Sequence, residues 1–125
     1  ERAALDFHLW EGAMLLAEPG GRWPVRWDDP AYRLCRARIV THYFVHGAWL
    51  EEGQLLAGLD KMRAIPAVLV QGMDDPQAPA ETAMAVAAAW PGARLEAIED
   101  VGHTTSGARM AEAIRRALND FAALA

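Results

Sequence analysis

Apolar residues recur every three or four positions through the first half of the chain, a spacing typical of amphipathic helices. Leu5, Leu9 and Leu16 share one predicted helix face. Asp29 is the expected N-cap of a second helix, because Pro30 follows it and proline is favoured at the first helical position. The first half is therefore predicted to contain helices over residues 3–17, 31–45 and 51–63, with an irregular loop over 22–30.

The pattern changes after Pro66, where residues 67–70 form a short apolar run with two β-branched members. Such a run is typical of a strand buried on both faces, as in a parallel sheet. The segments that follow alternate in type, and a strand–helix–strand–helix order implies parallel strands with helical crossovers. Two strands rarely form a stable sheet alone, so we expect this sequence to be part of a longer α/β protein. The predicted strands cover residues 67–71 and 94–98, and the predicted helices cover residues 80–90 and 108–124.

The composition of the chain argues against several classes of function. Hydrophobic residues make up 53% and the net charge is -5, which indicates a globular protein and argues against a broad nucleic-acid interface. No apolar run approaches the roughly 20 residues that span a bilayer, and no signal-peptide pattern is present at the start. Cys35 is the single cysteine, which excludes an internal disulfide and agrees with a reducing compartment. We therefore expect a cytoplasmic protein with neither a nucleic-acid nor a membrane partner.

Residues able to do acid–base chemistry follow the two predicted strands. Asp74 and Asp75 come directly after the first strand, and His103 follows the second. Open α/β sheets place their chemistry at the carboxyl ends of the strands. An acid and then a histidine, in that order, are the second and third members of a Ser–Asp–His triad on such a sheet. The residues alone leave a second interpretation open, in which Asp75 only stabilises a loop and His103 is an ordinary surface residue.

Neither a nucleophile nor a metal site is evident in the sequence. The chain has no Gly-x-Ser-x-Gly motif, and its single serine, Ser106, is interpreted as a cap of the last helix. His42 and His46 have the spacing of metal ligands on a helix, but Tyr43 stands where the zinc-protease pattern requires glutamate. We therefore predict no metal site and no cofactor.

Short motifs along nearly the whole chain carry a family resemblance. They are Trp10-Glu11-Gly12, Ala37-Arg38-Ile39 with His42-Tyr43-Phe44, Val70-Gln71-Gly72 with Asp75, Ala89-Trp90-Pro91, and Gly102-His103. In order and spacing they resemble the C-terminal portion of the proline iminopeptidases, serine aminopeptidases of the α/β-hydrolase superfamily. Each motif alone is short, and the resemblance depends on their joint order.

The resemblance implies an α/β fold in two parts. Residues 1–62 would be a portion of an all-helical cap, and residues 63–125 the C-terminal part of the α/β-hydrolase core, with parallel strands and flanking helices. It implies that Asp75 is the triad acid, that His103 is the general base, and that Glu11 binds the free amino group of an N-terminal proline. The catalytic serine would lie outside this sequence, so the chain alone is expected to be inactive.

The resemblance also shows departures that bear on specificity. Val40 stands where the family has a second glutamate that contacts the amine, and Thr41 replaces the asparagine that follows. The implied activity is release of N-terminal proline from a peptide or a small amide or ester. The alternatives are an esterase or amidase of other specificity and a non-catalytic module that self-associates through an exposed sheet edge.

Overall fold

The computed structural model describes residues 1–18, 21–105 and 107–123. The chain divides into two compact units, Glu1–Gln54 and Leu55–Ala125. The assignment of residues 1–62 to a cap and of 63–125 to a hydrolase core stays a prediction. No helix in the described ranges combines the length and the apolar character needed to cross a bilayer.

The first unit contains two long helices that pack against each other. Their positions confirm the predicted helices, and the predicted irregular loop contains a turn of 3₁₀-helix. The carboxylate of Asp29 accepts a hydrogen bond of 2.9 Å from the backbone N–H of Ala31, and Pro30 is the first residue of its helix. The predicted N-cap is therefore confirmed. The elements are α1 (Arg2–Ala17), the 3₁₀ turn Val25–Asp28, α2 (Pro30–Val45) and a second 3₁₀ turn, Gly47–Trp49.

The predicted apolar face of α1 is wrong. Leu9 and Leu16 are 52% and 55% exposed. The partner that packs on this helix is an aromatic ring, which needs a face without bulky side chains: a Cβ built on Gly12 would lie 2.7 Å from Cε3 of Trp23. Small and planar residues therefore line the contact instead of leucines. The buried residues of α1 are Ala4, His8 and Gly12.

The segment between the two halves is less helical than its sequence predicts. The predicted helix over residues 51–63 is replaced by a short helix, α3 (Gln54–Gly58), and a 3₁₀ turn, Leu59–Met62. Gly53 has φ +73, a value outside the helical region, so the helix can begin only after it. Gly58, a poor helix former, ends it.

The second unit is built on a parallel pair of strands. Residues pair in order from Ala67 with Ala93 to Gly72 with Ile98, which confirms the predicted parallel arrangement. The predicted last helix is confirmed as far as the described residues reach, and its predicted final residue, Leu124, lies outside them. The elements are β1 (Ala67–Gly72), α4 (Ala80–Ala89), β2 (Ala93–Ile98) and α5 (Ala108–Ala122).

The burial of β1 differs from the prediction. Residues 67–71 are only half-buried, and Gly72 is the one member of the strand that is fully buried. In the described part of the chain β1 and β2 pair only with each other, so the outer edge of each strand and part of each face of the sheet remain uncovered. Self-association through such an edge stays a prediction.

Helix α5 carries three of the five fully buried hydrophobic residues in the described part of the second unit. The spacing of apolar residues in the sequence predicts a buried stripe of Met110, Ile114, Ala117, Phe121 and Leu124. Met110 and Ala117 are buried as predicted, Ile114 and Phe121 are only half-buried, and Leu124 lies outside the described residues. The charged residues of the helix are exposed. Ala113 has no exposed surface at all. The buried stripe consists of Met110, Ala113 and Ala117.

The N-cap of α2 yields a first prediction. Replacing Asp29 by alanine removes the acceptor for the Ala31 N–H and should lower the free energy of unfolding by about 1 kcal/mol. Urea unfolding followed by far-ultraviolet circular dichroism measures the change. Asp29→Asn keeps an acceptor oxygen and serves as the control. Equal midpoints for the alanine and asparagine variants would contradict the assigned cap.

Candidate active site

The loops that follow β1 and β2 are joined by backbone hydrogen bonds beyond the ends of the strands. The N–H of Met73 donates to the carbonyl of Ile98 at 3.0 Å, and the N–H of Asp74 donates to the carbonyl of Val101 at 3.0 Å. The segments that follow β1 and β2 therefore continue side by side past the sheet. This pairing brings the acid-bearing loop next to the histidine-bearing loop.

Gly72 allows the two loops to approach this closely. A Cβ built at Gly72 would lie 2.7 Å from the carbonyl oxygen of Gly102, closer than real Cβ atoms come to any neighbour. The other atoms nearest to it belong to the backbone of Val101. A side chain at this position would push the segment before His103 away from β1.

Asp75 and His103 meet at hydrogen-bond distance. Oδ2 of Asp75 lies 2.9 Å from Nδ1 of His103. The other oxygen, Oδ1, accepts hydrogen bonds of 2.8 Å from the N–H groups of Gln77 and of Ala78. The Asp75 side chain is only 8% exposed, and that of His103 is 49% exposed. The Asp75 carboxylate is thus fixed and shielded, while about half of the His103 side chain that it orients is exposed to solvent.

This contact determines which histidine nitrogen can act as a base. A carboxylate oxygen only accepts, so Nδ1–H of His103 donates to Asp75. In the neutral imidazole the second nitrogen, Nε2, is then the one that can take a proton. Asp75 can also stabilise the imidazolium that forms when this happens.

The surroundings of Asp75 favour its charged form. Burial alone would raise its pKa, but the hydrogen bonds from Ala78, His103 and Gln77 lower it, and the net result is a pKa below the ordinary aspartate value of 3.8. Asp75 is therefore ionised at neutral pH, as a group that supports an imidazolium must be.

A cleft of about 310 Å³ lies beside the pair. The amide nitrogen of Gln71 donates to the carbonyls of Gly72 and Ala78, at 2.8 and 2.9 Å, and so ties the end of β1 to the loop that carries Asp75. Ser106, predicted as a helix cap, lies outside the described residues. The cleft is lined on its polar side by Gln71, Asp75, His103, Thr104 and Thr105 and on its apolar side by Val70, Met110 and Ile114.

Glu11, the third predicted site residue, lies in α1 of the first unit. Its carboxylate is 12% exposed and forms a two-pronged ion pair with Arg36 of α2. Nη2 of Arg36 lies 3.1 Å from Oε1, and Nη1 contacts Oε2 at shorter range. A role of Glu11 in binding an amine stays a prediction. Sequence reasoning missed Arg36, because its partner is on another helix and no local spacing links the two.

His42 in α2 and His46, the residue that follows this helix, show no metal-binding arrangement. Nδ1 of His46 donates to the carbonyl of His42 at 2.8 Å, so one ring nitrogen is already engaged. Within the described ranges no three His, Cys, Asp or Glu side chains are grouped so as to hold a metal ion.

Fold and site together define a class of protein. A parallel strand pair that carries an acid after one strand and a contacting histidine after the next is the arrangement of the acid and base in α/β-hydrolases. The sequence comparisons agree, since the family model described as TAP-like protein, an α/β-hydrolase family, matches residues 51–123. The chain belongs to this family, and its fold is a partial α/β-hydrolase fold with additional helices.

The chain is also similar to several curated proteins named proline iminopeptidase. The one from Xanthomonas citri is 34% identical over 96% of this chain and 39% of its own length. The one from Neisseria gonorrhoeae is 35% identical over 95% of this chain and 37% of its own length. The one from Arabidopsis thaliana is 33% identical over 83% of this chain. The chain thus spans less than two-fifths of the length of these relatives.

The close approach at Gly72 yields a second prediction. Gly72→Ala should destabilise the second unit by about 1–3 kcal/mol, the usual cost of overpacking, because the atoms it meets are backbone and cannot rotate away. Gly58→Ala is the matched control, since nothing lies within 4 Å of its added Cβ and its φ is -78. Urea unfolding of both variants measures the difference. Similar midpoints for the two variants would refute the predicted clash.

The lowered pKa of Asp75 yields a third prediction. A carboxylate with a lowered folded-state pKa stabilises the fold fully above the unfolded-state value, about 3.9, and loses that contribution as the pH falls through the folded-state value. The stability difference between the unmodified protein and Asp75→Asn should therefore shrink as the pH falls below about 5. Urea unfolding across that range measures it. Two parallel stability curves would contradict the assigned hydrogen bonds.

Proposed function

We propose that the intact protein containing this chain is a serine hydrolase that cleaves amides or esters through an acyl-enzyme, with N-terminal proline as its first candidate acyl group. The observation that carries the proposal is the 2.9 Å contact between Oδ2 of Asp75 and Nδ1 of His103. The contact lies beside a cleft at the carboxyl ends of parallel strands, where substrates of open α/β sheets bind.

The proposed mechanism gives each residue one task. Nε2 of His103 takes the proton of a serine hydroxyl as that oxygen attacks the substrate carbonyl, and Asp75 stabilises the resulting imidazolium. His103 then delivers the proton to the leaving amine or alcohol, which leaves an acyl-serine. Water, activated by the same histidine, hydrolyses the acyl-serine and restores the enzyme. The serine belongs to residues outside this sequence.

The substrate proposal is supported by the relatives and by one side chain. The similar proteins are named proline iminopeptidases. An enzyme that releases an N-terminal residue must bind a free ammonium next to the scissile bond, and a shielded carboxylate is the natural partner for that cation. Glu11, 12% exposed on α1, is the residue that we propose for this contact.

An esterase or amidase of other specificity is the second candidate. It is favoured by Val40 on α2, an apolar and half-buried side chain at the position where the resemblance implies a second carboxylate. A site with a single acidic contact binds an ammonium less strongly than one with two.

The proposal predicts hydrolysis of proline p-nitroanilide by the intact protein. His103→Ala should lower kcat/KM by at least about a thousandfold, since the general base is removed. His46→Ala, which changes an exposed histidine of the first unit, is the matched control and should retain activity. Turnover that survives in the His103 variant would refute the proposed mechanism.

A covalent probe tests for the nucleophilic serine independently of the substrate that the protein cleaves. A fluorophosphonate should label one serine of the intact protein, and mass spectrometry of the digest locates it. Labelling together with His103-dependent cleavage of a simple p-nitrophenyl ester, but with no cleavage of proline p-nitroanilide, would support the second candidate. Absence of both labelling and hydrolysis would refute a serine hydrolase.

A further inference from the structure

The side-chain amide of Gln71 joins the end of β1 to the far side of the loop that carries Asp75. Its nitrogen donates to the carbonyl of Gly72 at 2.8 Å and to the carbonyl of Ala78 at 2.9 Å. Carbonyl oxygens only accept, so the nitrogen of the amide, and not its oxygen, must face them. The two hydrogens of one planar group thus hold the last residue of the strand next to a residue that lies beyond Asp75 in the chain.

Ala78 is also one of the residues that hold Asp75 directly. Its N–H donates to Oδ1 of Asp75 at 2.8 Å, while its carbonyl accepts from Gln71. Burial raises the pKa of Asp75, and the hydrogen bond from Ala78 is the largest of the contacts that lower it. Hydrogen bonds therefore link Gln71 through Ala78 and Asp75 to Nδ1 of His103.

The turn around Asp75 does not by itself determine where the carboxylate points. The bonds that Asp75 accepts from the N–H groups of Gln77 and Ala78 are local, and they would persist if the loop rotated as a body away from β1. Backbone hydrogen bonds anchor the arm before Asp75 to the neighbouring loop. The Gln71 amide anchors the arm after it to the strand, and the two anchors together fix the direction of the turn.

We propose that Gln71 is a positioning residue, whose amide orients the Asp75 carboxylate toward Nδ1 of His103 and so keeps the histidine aligned as a general base. This inference rests on the proposed function, in which Asp75 and His103 are the acid and the base. The amide acts through Ala78 and Asp75 and takes no part in proton transfer itself.

The first test removes the donor in the intact protein. Gln71→Met has a similar length but donates no hydrogen bond, so the loop can turn away from the strand. Because small displacements of catalytic groups are costly, kcat for a p-nitrophenyl ester should fall at least about tenfold, while KM should change less than about threefold. An unchanged kcat would overturn the inference. A change confined to KM would overturn it as well, since it would indicate a residue that contacts the substrate.

The same substitution elsewhere in the chain provides the matched control. Oε1 of Gln54, in the first unit, accepts a hydrogen bond of 2.9 Å from the N–H of Glu51. Gln54→Met therefore also removes one local side-chain hydrogen bond of a glutamine. It should leave both kcat and KM unchanged.

A second variant keeps the shape of the side chain and reverses its hydrogen-bonding role. The carboxylate in Gln71→Glu only accepts, so it repels the carbonyls of Gly72 and Ala78 that the amide now holds. At about pH 8 this variant should lose at least as much of kcat as Gln71→Met does. Retention of more than half of the unmodified kcat would overturn the inference.

A double variant shows whether Gln71 acts through Asp75. Where Asp75→Asn has already removed the carboxylate, adding Gln71→Met should change the remaining His103-dependent rate by less than about twofold. Single-turnover assays with the protein in excess measure this low rate, and the rate in His103→Ala is subtracted. A residue with a merely structural role would lower the rate in both backgrounds, so a second tenfold loss would overturn the inference.

The two proposals fail in distinguishable ways. Hydrolysis that requires His103 but is unaffected by both Gln71 variants would leave the proposed hydrolase standing and overturn the inference alone. If no ester or amide is cleaved in a way that His103→Ala abolishes, the proposed function fails, and the inference fails with it. If Gln71→Met does not fold, the isosteric Gln71→Glu decides the question. Failure of both variants to fold would mark Gln71 as a structural residue and overturn the inference.

Discussion

Backbone hydrogen bonds hold β1 alongside β2 from the Ala67–Ala93 pair to the Gly72–Ile98 pair, and the candidate chemistry of the second unit depends on that register. A shift of one residue would move one loop by about 3.3 Å along the other. Such a shift exceeds the tolerance of a hydrogen bond, so Asp75 and His103 could no longer meet. The side-chain contact is therefore a consequence of how two strands pair.

Two shielded carboxylates in this chain are held in different ways, with different electrostatic results. Neutral backbone N–H groups fix one oxygen of Asp75, so the group keeps its negative charge for the imidazole on its other oxygen. A cation fixes Glu11, so the pair is close to neutral. The first arrangement leaves a negative charge beside the imidazole of His103, whereas the second leaves little net charge on the pair.

The sequence predicts the elements of the second unit well, because each signal there is local. Pro66 and the apolar run after it define β1, and the spacing of Met110 and Ala117 indicates the buried side of α5. The order of an acid after one strand and a histidine after the next was sufficient to name Asp75 and His103 as candidates, but it did not predict that their side chains are in contact. The 2.9 Å distance itself depends on the close approach at Gly72, which no local pattern encodes.

The first unit was harder to predict, because its packing runs against the usual preference for leucine at buried positions. The helix α1 buries His8 and Gly12 and leaves Leu9 exposed, since the neighbouring aromatic ring requires a face with little side-chain bulk. The pairing of Glu11 with Arg36 joins residues on separate helices and has no sequence signature. Arginine in a predicted helix is ordinarily read as a solvent-facing residue.

The contact at Gly72 has a further consequence for how this site can change over evolutionary time. Most crowded positions in a protein tolerate substitution when a neighbouring side chain becomes smaller, so two mutations can compensate each other. Gly72 faces the peptide backbone of Val101 and Gly102, and no mutation makes a peptide group smaller. Lineages can therefore vary the residues that line the cleft, whereas no substitution elsewhere can make room for a side chain at Gly72.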